Sequence, residues 1–124
     1  MIRGGARLPP LLMDAMWEPE AMRRWFEKNR PDAIIGMSRS LLLDWLRDRG
    51  VRVPEEVSYA CLDVLNESER PMAGIRQSWE EIFSSGIELM ASQLSRNEVG
   101  LPKVPKVTLI DGVWREGPTV APAG

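Results

Sequence analysis

Two polar residues could form a binding edge in this chain. Ser38 directly follows a short apolar run, residues 33–37. Asp63 directly follows a second apolar run, residues 57–62. If the two runs are neighbouring parallel strands, their carboxyl ends meet at the edge where ligands of open α/β sheets collect. A hydroxyl and a carboxylate would suit a ligand rich in hydroxyl groups. Each also has an ordinary role, Ser38 as a helix N-cap and Asp63 as a part-solvated carboxylate at a loop start.

The residue types of most catalytic sites are missing. The sequence has no histidine, which removes the usual general base and the commonest metal ligand. It shows no glycine-rich phosphate loop. The carboxylate pairs Glu55-Glu56 and Glu80-Glu81 stand at predicted turns or helix starts, where solvated acidic charges are favoured. We therefore predict that the protein is not an enzyme and that it uses no metal and no cofactor.

Composition predicts one soluble globular domain. The chain has 124 residues, of which 44% are hydrophobic and 27% charged. Its net charge of −2 argues against sequence-independent binding of nucleic acid. Cys61, the single cysteine, is predicted to be a small buried hydrophobe. No apolar run is long enough for a membrane span, and no secretory signal is visible, so we expect a cytoplasmic protein.

The elements that would position Ser38 and Asp63 form a predicted βαβ unit. Residues 33–37 are predicted to be a buried strand, and residues 57–62 a second strand. Between them, apolar residues at helical spacing predict a helix of about three turns: Leu41, Leu42, Trp45 and Leu46. Such a unit implies parallel strands with a right-handed crossover.

Further elements are predicted on both sides of this unit. A helix starts at Glu18-Pro19 and buries a face that includes Met22 and Trp25. After a third strand at residues 72–77, a Ser78–Glu81 capping box starts a long helix that reaches about residue 96. The last predicted elements are a strand at 107–110, a turn at 111–112, a partner strand at 113–115 and a tail from 118.

Trp17 lies just before the first predicted helix. One interpretation is a hydrophobic staple that packs on the helix start. The other is a stacking plate for a sugar-like ligand, because a flat aromatic face packs against the C–H face of a sugar ring.

The combined pattern resembles the effector-binding domain of LacI/GalR-type transcription regulators. The resemblance is carried by Pro31-Asp32-Ala33-Ile34-Ile35, by residues 49–58, and by later segments at 74–77, 106–112 and 117–120. It implies an α/β class with a partial periplasmic-binding-protein-like (type I) fold, in which helices flank a parallel sheet, truncated relative to the family. The implied organisation is a loop or disordered arm over residues 1–16, the C-terminal part of the effector-binding domain over 17–120, and a tail over 121–124.

The resemblance also implies ligand contacts. The Trp17 ring would stack on the effector. Polar side chains at two strand ends would bind it: Ser38, Arg39 and Asp63. Trp79 and Ile82, at the start of the long helix after Ser78, would make apolar contacts with it. Ser38-Arg39 stands where the family usually has Asn-Asp or Thr-Asp, and Asp63-Val64 where it often has Asp-Asp. Arg39 could therefore favour an anionic ligand, or pair with Asp63 instead.

The function implied by the resemblance is effector binding and dimerisation within a transcription regulator. The effector would be a sugar or sugar derivative. Residues 1–16 contain nothing like a helix-turn-helix, so we expect no direct DNA binding by this chain alone. Because the family dimerises through this half of its effector domain, the resemblance also implies a homo-oligomer. The alternative is a ligand-blind interaction subunit, or a non-functional fragment, that pairs with a full-length regulator. We also expect the apolar face of the helix after Ser78 to need a partner, either the chain's own strands or a second copy.

Overall fold

The computed structural model of the chain describes residues 7–14, 17–37, 40–64, 71–102 and 104–122. These residues form a mixed α/β fold of helices and a four-stranded sheet: α1 (Pro19–Asn29), β1 (Ala33–Gly36), α2 (Leu41–Asp48), β2 (Ser58–Cys61), β3 (Ala73–Arg76), α3 (Trp79–Ser95) and β4 (Val113–Arg115). The strand order is β1-β2-β3-β4. β1, β2 and β3 are parallel, and β4 runs antiparallel to β3. The predicted fold class is confirmed.

The βαβ unit is confirmed and carries the core. β1 pairs with β2 in parallel register, with Ala33 opposite Ser58 and Gly36 opposite Cys61. Three of the predicted α2 positions are buried against Tyr59 and Cys61 of β2: Leu42, Trp45 and Leu46. Cys61 is a free, fully buried thiol, as predicted.

α2 is shorter than predicted, because it begins later. Its N-cap is Ser40 rather than Ser38, and its eight residues make about two turns. Ser38 itself lies outside the described residues. Leu41, predicted to lie on the apolar face, is 44% exposed because it stands in the first turn.

α1 begins at Pro19, as predicted, and packs with the core. Met22 is buried, and the Phe26 ring meets the Trp45 ring edge-on, with centroids 5.5 Å apart. The indole N–H of Trp25 donates to the carbonyl oxygen of Pro9 at 2.8 Å. This bond attaches the irregular segment 7–14 to α1.

β1 is not the buried strand that its apolar sequence predicted. Ile35 is 69% exposed, whereas Ile34 packs against the core. β1 is an edge strand of the described sheet. The core cluster on the Ile34 side includes residues of α1 and α2, and the exposure of Ile35 shows that the opposite face is uncovered there.

α3 has the predicted length, but none of its residues is buried. Several large apolar side chains along the helix are more than half exposed, among them Phe83 (64%), Ile87 (62%), Met90 (57%) and Leu94 (76%). The helix does not fold back on the β1 and β2 strands, so its apolar face is open. The predicted capping box is also wrong: Ser78 is the N-cap, but its hydroxyl donates to the carbonyl of Asp111 at 3.1 Å.

The strand predicted at 107–110 is wrong. The segment has no strand assignment, and Val107 and Leu109 are 82% and 86% exposed. β4 pairs with β3 instead, with Trp114 opposite Ile75. A hairpin of 107–110 with 113–115 would be an isolated two-stranded ribbon, which is marginal in water, whereas pairing with β3 extends an existing sheet.

The segment after β4 is not a free tail from residue 118. Thr119 is buried (6% exposed) between the first residues of β2 and β3. Its hydroxyl accepts the N–H of Ala73 at 2.9 Å and donates to the carbonyl of Tyr59 at 2.7 Å. The chain reaches this place because Gly117 passes close to Met72, where an added Cβ would lie 2.3 Å from the Met72 carbonyl carbon.

Candidate functional site

The carboxyl ends of β1, β2 and β3 meet at one edge of the sheet. The N–H of Leu62 donates to the carbonyl of Gly36 at 2.9 Å, and the N–H of Val64 donates to the carbonyl of Ile75 at 2.9 Å. Asp63 therefore lies between the ends of β1 and β3, as the parallel arrangement predicted.

Asp63 is buried, with 8% of its surface exposed. The expectation of a part-solvated carboxylate is wrong. Tyr59 and Cys61 point into the core, and Asp63 continues their two-residue alternation, while Leu62 between them is exposed. A carboxylate in this low-dielectric position forms stronger hydrogen bonds than one in water, which suits it to bind a donor such as a hydroxyl.

Trp79 and Ile82 lie where α3 leaves the same edge, directly after β3. Trp79 is 42% exposed and Ile82 is half-buried. The Trp79 and Phe83 rings are stacked, with centroids 5.9 Å apart and planes 28° from parallel. The pair presents an aromatic surface next to the strand ends, of the kind that packs against apolar C–H groups.

Trp17 lies in a different place, a groove beside β1. The groove has a volume of about 810 Å³, within the range of about 300–1,000 Å³ that is usual for ligand sites. Its walls are β1 on one side and segment 8–13 with α1 on the other, and Arg7 and Asp32 are its charged lining residues. Trp17 also packs against the core, consistent with the staple interpretation. Asp63, Trp79 and Ile82 do not line this groove.

The predicted site residues thus fall into separate groups. Asp63, Trp79 and Ile82 share the carboxyl edge, and Trp17 lines the groove. Ser38 and Arg39 lie outside the described residues, between the end of β1 and the start of α2. The proximity of Ser38 to Asp63, and the pairing of Arg39 with Asp63, therefore stay predictions.

The sequence interpretation missed that Asp111 reaches this edge. The bond from the Ser78 hydroxyl to the Asp111 carbonyl holds residues 111–112 beside the end of β3. Gly112 is needed there, because an added Cβ would lie 2.4 Å from Cγ2 of Ile75. The Asp-Gly dipeptide signalled a turn in the sequence. Its place at the site depends on the β3–β4 pairing, which has no local signal.

The described residues also bear on other functions. They contain no group of three or more histidine, cysteine, aspartate or glutamate side chains arranged to hold a metal ion. No helix in the described ranges has the length and apolar character needed to cross a membrane. In the core, burial raises the pKa of the Tyr59 hydroxyl, and the neighbouring Cys61 makes a smaller contribution in the same direction.

Comparison with known proteins gives one match. The family model of the periplasmic binding protein-like domain matches residues 6–115, which is most of the chain. No curated protein and no solved structure gives a significant match.

Proposed function

This chain belongs to the periplasmic binding protein-like domain family, and on that premise we propose that it binds a sugar or sugar derivative at the carboxyl edge of its sheet. The observation that carries the proposal is the buried Asp63 carboxylate at the carboxyl ends of the strands, the edge from which α3 begins at Trp79. We further propose that the chain is the effector-binding part of a LacI/GalR-type regulator.

The chemistry of this edge supports a hydroxyl-rich ligand. Asp63 would accept hydrogen bonds from ligand hydroxyls, and a carboxylate acceptor makes such bonds stronger than a neutral one. The Trp79–Phe83 pair would pack against the C–H face of a sugar ring. Ile82, half-buried on the same first turn of α3, would add an apolar contact.

We propose that Ser38 and Arg39, which follow β1 in the sequence, also contact the ligand. Their part rests on the resemblance to the LacI/GalR family. Arg39 introduces a permanent positive charge, which would favour a sugar acid or a sugar phosphate over a neutral sugar. Trp17 would contribute from the groove if the ligand extends past Met37 and Leu62, which also line the groove.

Binding is tested by calorimetry on the folded chain with neutral sugars, sugar acids and sugar phosphates. We expect saturable heat for at least one class. Asp63→Asn should weaken that ligand by about 1.5–3 kcal/mol, the scale of a hydrogen bond to a charged group. Asp48→Asn, at the exposed end of α2, is the matched control and should leave affinity unchanged. If Asp63→Asn abolishes folding and, in conditions that restore folding, binds as tightly as the parent, Asp63 is a structural carboxylate.

The regulator role has consequences for DNA and for location. We propose that this chain alone does not bind operator DNA, because its net charge is −2 and binding requires several cations to neutralise phosphates. Sequence-specific retardation of operator fragments by the isolated chain, in a low-salt gel-shift assay, would contradict this. A role in transcription also implies a cytoplasmic location.

Self-association is the second part of the proposal. The open apolar face of α3 supports it, since an exposed large apolar side chain forgoes about 1.5–3 kcal/mol of burial. The same face favours the alternative function, a ligand-blind subunit that pairs with a full-length regulator. Analytical ultracentrifugation at micromolar concentration distinguishes self-association from pairing with a regulator. A chain that self-associates forms a dimer alone, whereas a ligand-blind subunit forms a complex only when it is mixed with the full-length regulator.

A further inference from the structure

The groove beside β1 follows the backbone edge of that strand. Every residue from 32 to 37 lines it. Successive side chains of a strand point to opposite faces of the sheet, so a groove over one face would touch only alternate residues. Contact with consecutive residues therefore places the groove along the outer edge of β1, with which no described strand pairs. Its far wall includes residues of the irregular segment 7–14, so the groove is a slot between β1 and that segment.

The lining of the slot suits an apolar strand better than a sugar. Apart from Arg7 and Asp32 its side chains are apolar, and they include Leu11, Ile34 and Leu42. A strand that enters such a slot gains main-chain hydrogen bonds from the edge and side-chain burial from the walls.

This chain carries a segment with the properties of such a strand. Residues 106–110 read Lys-Val-Thr-Leu-Ile, a sequence rich in β-forming residues. No strand of the described sheet pairs with them, and Val107 is 82% and Leu109 86% exposed. A strand of this length extends about 17 Å, enough to follow the whole of β1.

We propose that residues 106–110 of a second copy occupy the slot and pair with β1 as a parallel strand. Charge selects the direction. Asp32 precedes β1 and lines the slot, Lys106 begins the segment, and Asp111 follows it. A parallel strand places Lys106 beside Asp32, whereas an antiparallel strand would place Asp111 there, and like charges opposite each other are destabilising.

Each copy has both the slot and the segment. Reciprocal insertion would therefore close a two-fold dimer, whereas one-way insertion would build longer chains. This inference rests on the self-association proposed above and identifies its contact. It does not depend on ligand binding.

The test is the dimer dissociation constant of the full chain, measured by analytical ultracentrifugation. The double variant Val107→Asp/Leu109→Asp should weaken dimerisation at least tenfold. Its matched control is Val99→Asp/Leu101→Asp, whose side chains are 92% and 97% exposed and lie outside the segment; it should behave as the parent. All four sites are exposed, so circular dichroism should show unchanged folding.

The outcomes separate this inference from the broader proposal. A parent chain that is monomeric at micromolar concentration overturns both. A dimer that survives Val107→Asp/Leu109→Asp but is lost in Phe83→Asp overturns only the slot contact and assigns self-association to α3.

Two further measurements address the slot itself. Asp32→Lys should weaken the dimer, and Lys106→Asp in the same chain should restore it; failure to restore it overturns the parallel arrangement. A synthetic peptide of residues 104–112 should bind the monomeric Val107→Asp/Leu109→Asp chain and compete with the parent dimer. If the peptide does neither, residues 106–110 are not the occupant.

Discussion

Thr119 offers a direct test of how much its hydroxyl stabilises the sheet where it bridges β2 and β3. Its hydroxyl satisfies two buried backbone groups, the N–H of Ala73 and the carbonyl of Tyr59, at 2.9 and 2.7 Å. Thr119→Val keeps the volume of the side chain but removes both hydrogen bonds. A buried polar group left without a partner costs about 1–3 kcal/mol. For two such groups we expect the free energy of unfolding to fall by about 2–6 kcal/mol. That is a large part of the roughly 5–15 kcal/mol by which a small domain is stable.

The assay is urea unfolding followed by circular dichroism, with Thr119→Ser as the control. Serine keeps the hydroxyl and loses only the methyl group, so it should cost about 0.8 kcal/mol. The backbone bond from the Tyr59 N–H to the Thr119 carbonyl, at 2.6 Å, is available in every variant. If valine and serine destabilise the chain equally, the two hydrogen bonds contribute nothing measurable and the reasoning is refuted.

Three further substitutions test the close backbone packing at one glycine, the helix propensity at another, and the buried Tyr59 hydroxyl. Gly74→Ala should cost about 3 kcal/mol or prevent folding, because its Cβ would lie 2.0 Å from the Cys61 carbonyl oxygen at φ +156°. Gly86→Ala, in α3 with nothing within 4 Å of the new Cβ, should stabilise the chain by about 1 kcal/mol. Thermal unfolding of both glycine variants measures the two effects. An opposite order of the two would contradict the described backbone. Burial raises the pKa of Tyr59, so the unfolded chain loses this proton first, and stability present below about pH 10 is lost as the pH rises further. Tyr59→Phe should flatten that alkaline loss in urea unfolding at increasing pH; an unchanged slope would assign it to other groups.

The βαβ unit could be predicted because its signals are local. The spacing of Leu42, Trp45 and Leu46 identifies a helix face within two turns, and the apolar run of β2 stands directly before Asp63. The position of Asp63 at a strand end followed from the same local pattern. Its burial did not, because that depends on which face of the sheet the helices cover.

The errors share one cause, which is a partner distant in sequence. Residues 107–110 have strand-like residues, but no strand of the described sheet pairs with them. Ser78 was expected to bond within its own helix, and its hydroxyl bonds the carbonyl of Asp111 instead. Thr119 looked like part of a tail because nothing within its neighbourhood signals a bond to Tyr59. β1 looked buried because its composition does not show which neighbours cover it.

The position of Thr119 also bears on the order in which the chain folds during synthesis. The bonds of its hydroxyl span 46 and 60 residues of sequence. Contacts of such separation carry a large loop-closure cost and are typical of slowly folding topologies. A ribosome-bound chain that ends before residue 117 could form the βαβ unit, yet the first residues of β2 and β3 would still lack their bridging side chain. Protease sensitivity of nascent chains should therefore drop only once residue 119 has left the exit tunnel.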